Sequence, residues 1–178
     1  MKYLPIIFLI FILSSCASTP KSVIIDYDPE ARFTDYRTYF WSDEILNETV
    51  NQPLFYNSLI RKRIKSAVQK EMDGRGYEMN EFDPDLVINA HMIVEQKTET
   101  QNYSPTPYRY YYQDNIRTYS YKEATLVIDL IDKKNRQLVW QGHYTGSFVD
   151  AKTPEDKSRA IRDAVSLIFQ KFEYRAGQ

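Results

Sequence analysis

Three stretches of this chain place apolar side chains at every second position, the spacing at which a β-strand gathers them onto one face. The stretches are residues 86–94, 124–131 and 138–149. Polar residues are more common at the alternate positions, so each stretch predicts a strand with one buried and one exposed face. The predicted core-facing residues are Leu86, Ile88, Ala90, Met92 and Val94, then Leu126, Ile128 and Leu130, then Leu138, Trp140, Tyr144 and Phe148.

Two further stretches, residues 54–72 and 154–174, carry apolar residues at helical spacing. Gly74 and Gly76 follow the first and are typical of a helix end, while Thr153 is a suitable N-cap for the second. The predicted stripes are Ile60, Ile64, Ala67, Val68 and Met72 in the first helix, and Ile161, Ala164, Val165, Ile168 and Phe172 in the second.

Shorter runs at residues 22–26 (SVIID) and 36–41 (YRTYFW) are rich in β-branched and aromatic residues and predict two more strands. The combined pattern predicts an α+β fold of two layers, in which two amphipathic helices pack on one face of a mainly antiparallel sheet. A length of 178 residues suits a single domain.

The composition excludes several classes of function. Lys plus Arg number 23 and Asp plus Glu 24, so the net charge of −1 gives no reason to expect a nucleic-acid partner. A single cysteine excludes an internal disulfide. No G-x-S-x-G, P-loop or G-x-G-x-x-G motif is present, and no carboxylate pair stands out. We therefore expect a protein that is not an enzyme and needs no cofactor.

The N-terminus resembles the signal of a bacterial lipoprotein. Lys2 precedes ten apolar residues, 4–13, too short a run to span a bilayer as a helix. The run ends in Leu13-Ser14-Ser15-Cys16, which is similar to a lipobox. The resemblance implies a signal peptide over residues 1–15, acylation of Cys16 with chains such as palmitate, a tether over 16–22 and one domain over 23–178. The alternative is an ordinary cleaved signal with an incidental cysteine.

Acylation of Cys16 has a strong physical consequence. One acyl chain binds a membrane only marginally, whereas two or three chains make attachment essentially permanent. The residue after Cys16 is Ala17 and not Asp. By resemblance to lipoprotein sorting in Gram-negative bacteria, this favours the outer membrane. We therefore expect a protein anchored in the outer membrane that faces the periplasm.

Several short motifs follow the lipobox in order: Asp26-Tyr27-Asp28, Tyr36-Arg37-Thr38-Tyr39, residues 74–77, Asp83-Pro84-Asp85-Leu86, residues 125–129 and residues 138–142. In order and spacing they resemble the bacterial lipoprotein family catalogued as domain of unknown function 4136, over nearly all of the mature chain. The resemblance implies an exported, lipid-anchored α+β domain and supplies no catalytic residues. A tyrosine-rich insertion near residues 103–121 is not a signature of that family.

Residues 102–121 (NYSPTPYRYYYQDNIRTYSY) form the main candidate site. They link two predicted strands and therefore form the end of a long hairpin. Tyrosine suits contact surfaces and the membrane–water interface, so we interpret the segment as a contact site for an envelope protein, a glycan or the lipid surface. The alternative is a hairpin tip that packs on itself. The candidate residues are Tyr103, Tyr108, Tyr110, Tyr111, Tyr112, Tyr119 and Tyr121.

A second hypothesis uses the sheet face opposite the helices. The period of two places His91, Asp129 and His143 on that face. If their strands were neighbours, the three could converge on a metal ion, as in a metal-dependent periplasmic hydrolase. The alternative is the solvated face of a half-covered sheet. The leading interpretation stays a binding or envelope-assembly module that contacts its partner through the tyrosine-rich hairpin.

Overall fold

The computed structural model describes residues 22–42, 57–102, 116–146 and 151–178. The predicted signal peptide, Cys16 and the tether before Ser22 lie outside these residues. The described part contains six strands, two α-helices and a short 3₁₀-helix at Phe33–Asp35. Their bounds are β1 Ser22–Tyr27, β2 Thr38–Trp41, α1 Ser58–Asp73, β3 Glu78–Met79, β4 Leu86–Asn102, β5 Ile116–Asp132, β6 Gln137–Gly146 and α2 Pro154–Phe169.

The described strands form one sheet in the order β1-β6-β5-β4-β2-β3. The pairs β1–β6, β6–β5 and β5–β4 are antiparallel, while β2 runs parallel to both β4 and β3. Both helices pack against each other and bury their apolar stripes in one core with the sheet. The α+β prediction of a mainly antiparallel sheet with two amphipathic helices is therefore confirmed.

The helices approach the sheet closely. A Cβ atom on Gly142 of β6 would overlap with Cγ2 of Ile168 on α2 and with the indole of Trp140. Glycine is therefore required at this position by packing and not by a special backbone angle. In the core beside it lie Trp140, Phe169 and Phe172, whose rings meet at 5.1–5.9 Å between centroids.

Side chains cap the start of both helices. Asn57 accepts hydrogen bonds from the amides of Leu59 and Ile60 at the start of α1. Thr153 accepts one from the Asp156 amide, 3.1 Å away, which confirms it as the N-cap of α2. Of the first predicted helix, residues 54–56 lie outside the described part.

The predicted end of the second helix at residue 174 is wrong. Helix α2 ends at Phe169, and the chain then turns so that Tyr174 stacks on Phe33 at 3.8 Å. Arg75 donates hydrogen bonds to the carbonyl oxygens of Phe169 and Phe172, which fixes this turn. Phe172 is buried as predicted, although it lies beyond the helix.

The predicted burial of Leu138 is also wrong. Its side chain is 48% exposed, whereas that of Val139 is 3% exposed. The ladder pairs Leu130 with Trp140 but Ile131 with Leu138, so Val139 is an extra residue in β6. A bulge of this kind shifts the alternation by one residue and turns Leu138 away from the core. Phe148, the last predicted core residue of this stretch, lies outside the described part.

Strands β4 and β5 are much longer than the apolar alternation predicts. They have 17 residues each and pair along their whole length, from Leu86–Asp132 to Asn102–Ile116. Among the described residues, no helix is both long and apolar enough to cross a membrane.

Candidate functional site

The outer parts of β4 and β5 extend beyond the sheet as a two-stranded ribbon. The last pair that joins β5 to β6 is Ala124–Gly146, and β2 pairs with β4 only up to Ile88. Residues 95–102 therefore pair with residues 116–123 and with no other described strand. We call these two segments the ribbon. At about 3.3 Å per residue it is about 26 Å long.

Polar contacts between the strands hold the ribbon together. The Tyr121 hydroxyl donates to Oε1 of Glu99 at 2.9 Å, and Nε2 of Gln96 donates to Oγ of Ser120 at 2.7 Å. Nζ of Lys97 lies 3.9 Å from Oε2 of Glu123 on β5, and also 2.7 Å from Oε2 of Glu95 on its own strand. The hydrogen bond with Glu99 raises the pKa of Tyr121, and the one with Glu95 raises that of Lys97.

The ribbon presents aromatic side chains to solvent. Tyr119 is 49% exposed and Tyr121 is 42% exposed. Both lie on one face, opposite Glu99 and Lys97 on β4. No layer of described residues covers either face of the ribbon, so these rings are available to a partner.

Strands β4 and β5 pair as far as Asn102 and Ile116, and the predicted hairpin tip between them, residues 103–115, lies outside the described residues. Of the seven candidate tyrosines, Tyr119 and Tyr121 lie in β5, within a regular strand and not in a loop. Tyr103, Tyr108, Tyr110, Tyr111 and Tyr112 lie outside the described residues.

The second predicted cluster lies on three neighbouring strands, β4, β5 and β6. His91 and His143 flank Val127 in one row of the ladder, and Val127 is buried between them. Nδ1 of His91 lies 3.9 Å from Oδ2 of Asp129. Nε2 of His143 instead lies 2.6 Å from Oε1 of Gln141. The structure thus brings His91 to Asp129 but directs His143 to a different partner.

Asp129 is engaged by amides on both sides. Its Oδ1 accepts from Nε2 of Gln141 at 2.6 Å, and its Oδ2 accepts from Nδ2 of Asn89 at 3.4 Å. Within the described ranges, no group of three or more His, Cys, Asp or Glu side chains has the arrangement that holds a metal ion. The geometry of this face is that of a hydrogen-bonded surface and gives the hydrolase hypothesis no support.

Sequence reasoning did not identify an open cavity of about 640 Å³ at the opposite end of the sheet from the ribbon. Several acidic residues line it, together with Lys133 and Lys134. The acidic residues are Asp28, Glu30, Asp35, Asp83, Asp85 and Asp132. The run Asp83-Pro84-Asp85 lies at this cavity, but from the sequence it predicts only a turn.

Two of these carboxylates, Asp85 and Asp132, accept hydrogen bonds that join separate segments of the fold. Oδ2 of Asp85 accepts from the amides of Arg37 and Thr38, each at 2.9 Å. Burial raises the pKa of the Asp85 carboxyl, but these hydrogen bonds outweigh that effect and hold its pKa below the usual range. Asp132 accepts from the Tyr36 hydroxyl at 2.9 Å and from the Asn135 amide at 2.8 Å. These acids join β2, β4 and the β5–β6 turn.

The sequence pattern of the family described as domain of unknown function 4136 matches residues 23–172. The chain belongs to this family. The match runs from β1 to just past α2 and includes the ribbon, so the ribbon lies within the domain. No curated protein matches the sequence.

Two solved structures share the fold of this family member. A PDZ domain protein from Parabacteroides distasonis aligns with a TM-score of 0.53 and 13% identity over 86% of this chain. The chain spans only 37% of that protein's length. A PelC dodecamer from Paraburkholderia phytofirmans aligns with a TM-score of 0.51 and 11% identity, over 88% of this chain and 99% of that one. At these identities the likeness establishes the fold and no function.

A minor lipoprotein from Acinetobacter baumannii aligns over 76% of this chain and 89% of its own, with a TM-score of 0.33 and 7% identity. We infer nothing from a likeness at that level.

Proposed function

We propose that this member of the family is a non-enzymatic, lipid-anchored protein of the bacterial outer membrane that faces the periplasm. It acts as a binding or envelope-assembly module, and its contact element is the ribbon with the tyrosine-rich connection. The observation that carries this proposal is the ribbon itself, a two-stranded extension with half-exposed tyrosines and no covering layer among the described residues.

The stability of such a ribbon depends on what covers it. An isolated two-stranded hairpin is marginally stable in water, because it lacks a third strand or a packed layer. The described contacts across this ribbon are polar and lie at exposed positions, such as Tyr121 to Glu99 and Gln96 to Ser120. A partner that covers Tyr119 and Tyr121 would supply the missing apolar burial.

The anchor part of the proposal depends on the sequence Leu13-Ser14-Ser15-Cys16. The acyl chains on Cys16 confine the domain to one membrane surface, because the six residues after Cys16, up to Ser22, span at most about 20 Å. The ribbon therefore meets only components of that surface or its immediate neighbourhood: the lipid, an envelope protein or a glycan.

The non-enzymatic part is supported by how the polar groups are used. Asp85 and Asp132 hold backbone segments together at the cavity, and Asp129 is bound by Gln141 and Asn89 on the open sheet face. In the described part of the chain these carboxylates are acceptors in local structure.

Photo-crosslinking in intact cells tests the contact element. A photoreactive phenylalanine derivative replaces Tyr119 in the ribbon, and a matched variant carries it at Lys134, an exposed residue in the β5–β6 turn at the other end of the sheet. We expect an adduct from position 119 with an envelope component and none from position 134. Equal yields at the two positions would refute the ribbon as contact element.

Mass spectrometry of the N-terminal peptide tests the anchor separately. We expect a peptide that begins at Cys16 and carries acyl chains. A peptide that retains residues 1–15, or one cut elsewhere, would refute the anchor and leave the crosslinking result standing by itself.

A further inference from the structure

We propose that the outer end of the ribbon lies against the lipid surface into which Cys16 is inserted. The inference rests on the proposed function, because it needs the acyl anchor. It commits the ribbon to the bilayer surface as partner, whereas an envelope protein or a glycan is an outcome of the test below.

The first strand of the sheet begins close to the base of the ribbon. Ser22 at the start of β1 pairs with Thr145 of β6, Thr145 pairs with Thr125 of β5, and Thr125 pairs with Ile93 of β4. These four residues form one row across the sheet, and the ribbon begins two residues beyond that row. Strand β1 runs away from the ribbon, so its first residue, Ser22, lies at the end of the sheet from which the ribbon emerges.

The ribbon is longer than the tether that joins the domain to Cys16. From the row of Ile93 and Thr125 to the last pair, Asn102 and Ile116, the strands advance about 30 Å at about 3.3 Å per residue. The chain from Cys16 to Ser22 spans at most about 20 Å. A ribbon that points towards the bilayer therefore reaches the lipid before the tether is fully extended.

The inverted orientation needs a longer tether than the chain provides. With the ribbon directed away from the membrane, the tether would have to pass along the sheet, and from Thr145, the partner of Ser22, to Gln137 strand β6 advances eight residues, about 26 Å. A tether of about 20 Å does not cover that distance. A domain that lies flat keeps the ribbon along the surface. The permitted orientations therefore bring the ribbon and the lipid together.

The chemical character of the side chains changes along the ribbon. The acidic residues Glu95 and Glu123 form the first pair, at its base, and Glu99 lies further out, where its carboxylate accepts the hydrogen bond from the Tyr121 hydroxyl. Tyr121 and Tyr119 lie further out, on the face that continues from the exposed Ile93. Tyrosine is enriched at membrane–water interfaces because its ring is apolar and its hydroxyl polar. The order of side chains therefore fits contact through the outer end.

A quenching experiment on the acylated protein tests this arrangement. Because the sulfur of Cys16 is consumed by acylation and the chain has no other cysteine, Thr118→Cys introduces one free thiol for a fluorophore. Lys134→Cys provides the matched control at the far end of the sheet. Each labelled protein is reconstituted in vesicles of phosphatidylethanolamine and phosphatidylglycerol that contain a headgroup-nitroxide lipid.

We expect the label at position 118 to be quenched at least about threefold more than the label at position 134. Adding Tyr119→Ser and Tyr121→Ser to the Thr118→Cys protein should reduce the excess quenching by half or more, while Tyr119→Phe with Tyr121→Phe should retain it. Circular dichroism of each variant confirms that the domain is folded.

Equal quenching at the two positions, in protein that floats with the vesicles, would overturn the inference and leave the anchor intact. A change in the fluorescence of the label at position 118 that appears only when purified envelope proteins or glycans are added would also overturn the inference, in favour of that partner. Protein that does not float, and whose Cys16 carries no acyl chain, would instead refute the proposed function and this inference with it.

Discussion

Three tyrosines in the core provide a controlled test of the hydrogen bonding described above. The Tyr36 hydroxyl donates to Oδ2 of Asp132 at 2.9 Å, and the Tyr39 hydroxyl donates to Oδ1 of Asp73 at 3.0 Å. The Tyr77 hydroxyl is buried and has no hydrogen-bond partner among the described residues. The same substitution, Tyr→Phe, therefore removes a hydrogen bond at two sites and an unpaired polar group at the third.

The expected changes in free energy of unfolding have opposite signs. A hydrogen bond to a charged group contributes about 1.5–3 kcal/mol, and the bond from Tyr36 to Asp132 is buried, so Tyr36→Phe should cost about 2 kcal/mol. Tyr39→Phe should cost about 1 kcal/mol, because Asp73 is exposed. A buried, unpaired polar group costs about 1–3 kcal/mol, so Tyr77→Phe should leave stability unchanged or raise it by about 1 kcal/mol.

Urea unfolding of residues 17–178, followed by circular dichroism, measures all three variants against the parent. The midpoints should rank Tyr77→Phe at or above the parent, then Tyr39→Phe, then Tyr36→Phe, with equal slopes. If Tyr77→Phe destabilised the domain as much as Tyr36→Phe, the reasoning from hydroxyl partners would be refuted.

The alkaline limb of stability gives a second readout of the same residues. Burial raises the pKa of Tyr77 to about 12. Burial, followed by the hydrogen bond to Asp132, raises that of Tyr36 further. A pKa that is higher in the folded state contributes stability below the unfolded value, near 10, and loses it as pH rises through the folded value. We expect stability to fall from about pH 10 upward, and less steeply in Tyr77→Phe.

Three further outcomes follow from the structure. The pKa of Asp85 is lower in the folded state, so its contribution to the free energy of unfolding is present above about pH 4 and is lost as the pH falls further. Asp85→Asn should therefore weaken the fall of the urea midpoint between about pH 6 and pH 2. An unchanged fall would contradict the role of its amide donors. Gly142→Ala should lower the free energy of unfolding by about 2–3 kcal/mol in thermal unfolding, because its Cβ would overlap with Ile168. The control Gly74→Ala, at a position with an ordinary helical conformation, should change stability little. Similar effects of both variants would argue against the close helix–sheet contact. Cys16→Ala should move the protein from the membrane to the soluble fraction of lysed cells, and retention in membranes would exclude acylation as the anchor.

The fold was largely predictable because apolar spacing specified both layers. Helix α1 buries the stripe Ile60, Ile64, Ala67, Val68 and Met72, as its spacing predicts. Strand β4 likewise buries Leu86, Ile88, Ala90 and Met92 on the helix side. Where burial alone decides the conformation, a period of two or 3.6 residues is enough.

Local irregularities were not predictable from that spacing. Val139 is an extra residue in β6, and nothing in Leu138-Val139-Trp140 distinguishes a bulge from a continuous strand. The end of α2 is set by contacts with distant residues, through Arg75 and through the stacking of Tyr174 on Phe33. Both features depend on tertiary contacts that a one-dimensional pattern does not contain.

The candidate site illustrates the same limit. Tyrosine clustering located the hairpin, but residues 95–102 and 116–123 are mostly polar and have no apolar alternation to identify them as strands. The position of these strands relative to the N-terminus is even harder to predict from the sequence, because it arises from the pairing of β1 with β6. That pairing places Ser22 in a row two residues before the ribbon begins, so the proposed acyl anchor at Cys16 and the proposed ribbon contact are linked by one short tether. Lengthening the tether beyond the length of the sheet, by about ten residues inserted after Ala17, should therefore abolish preferential quenching at position 118 without releasing the protein from vesicles.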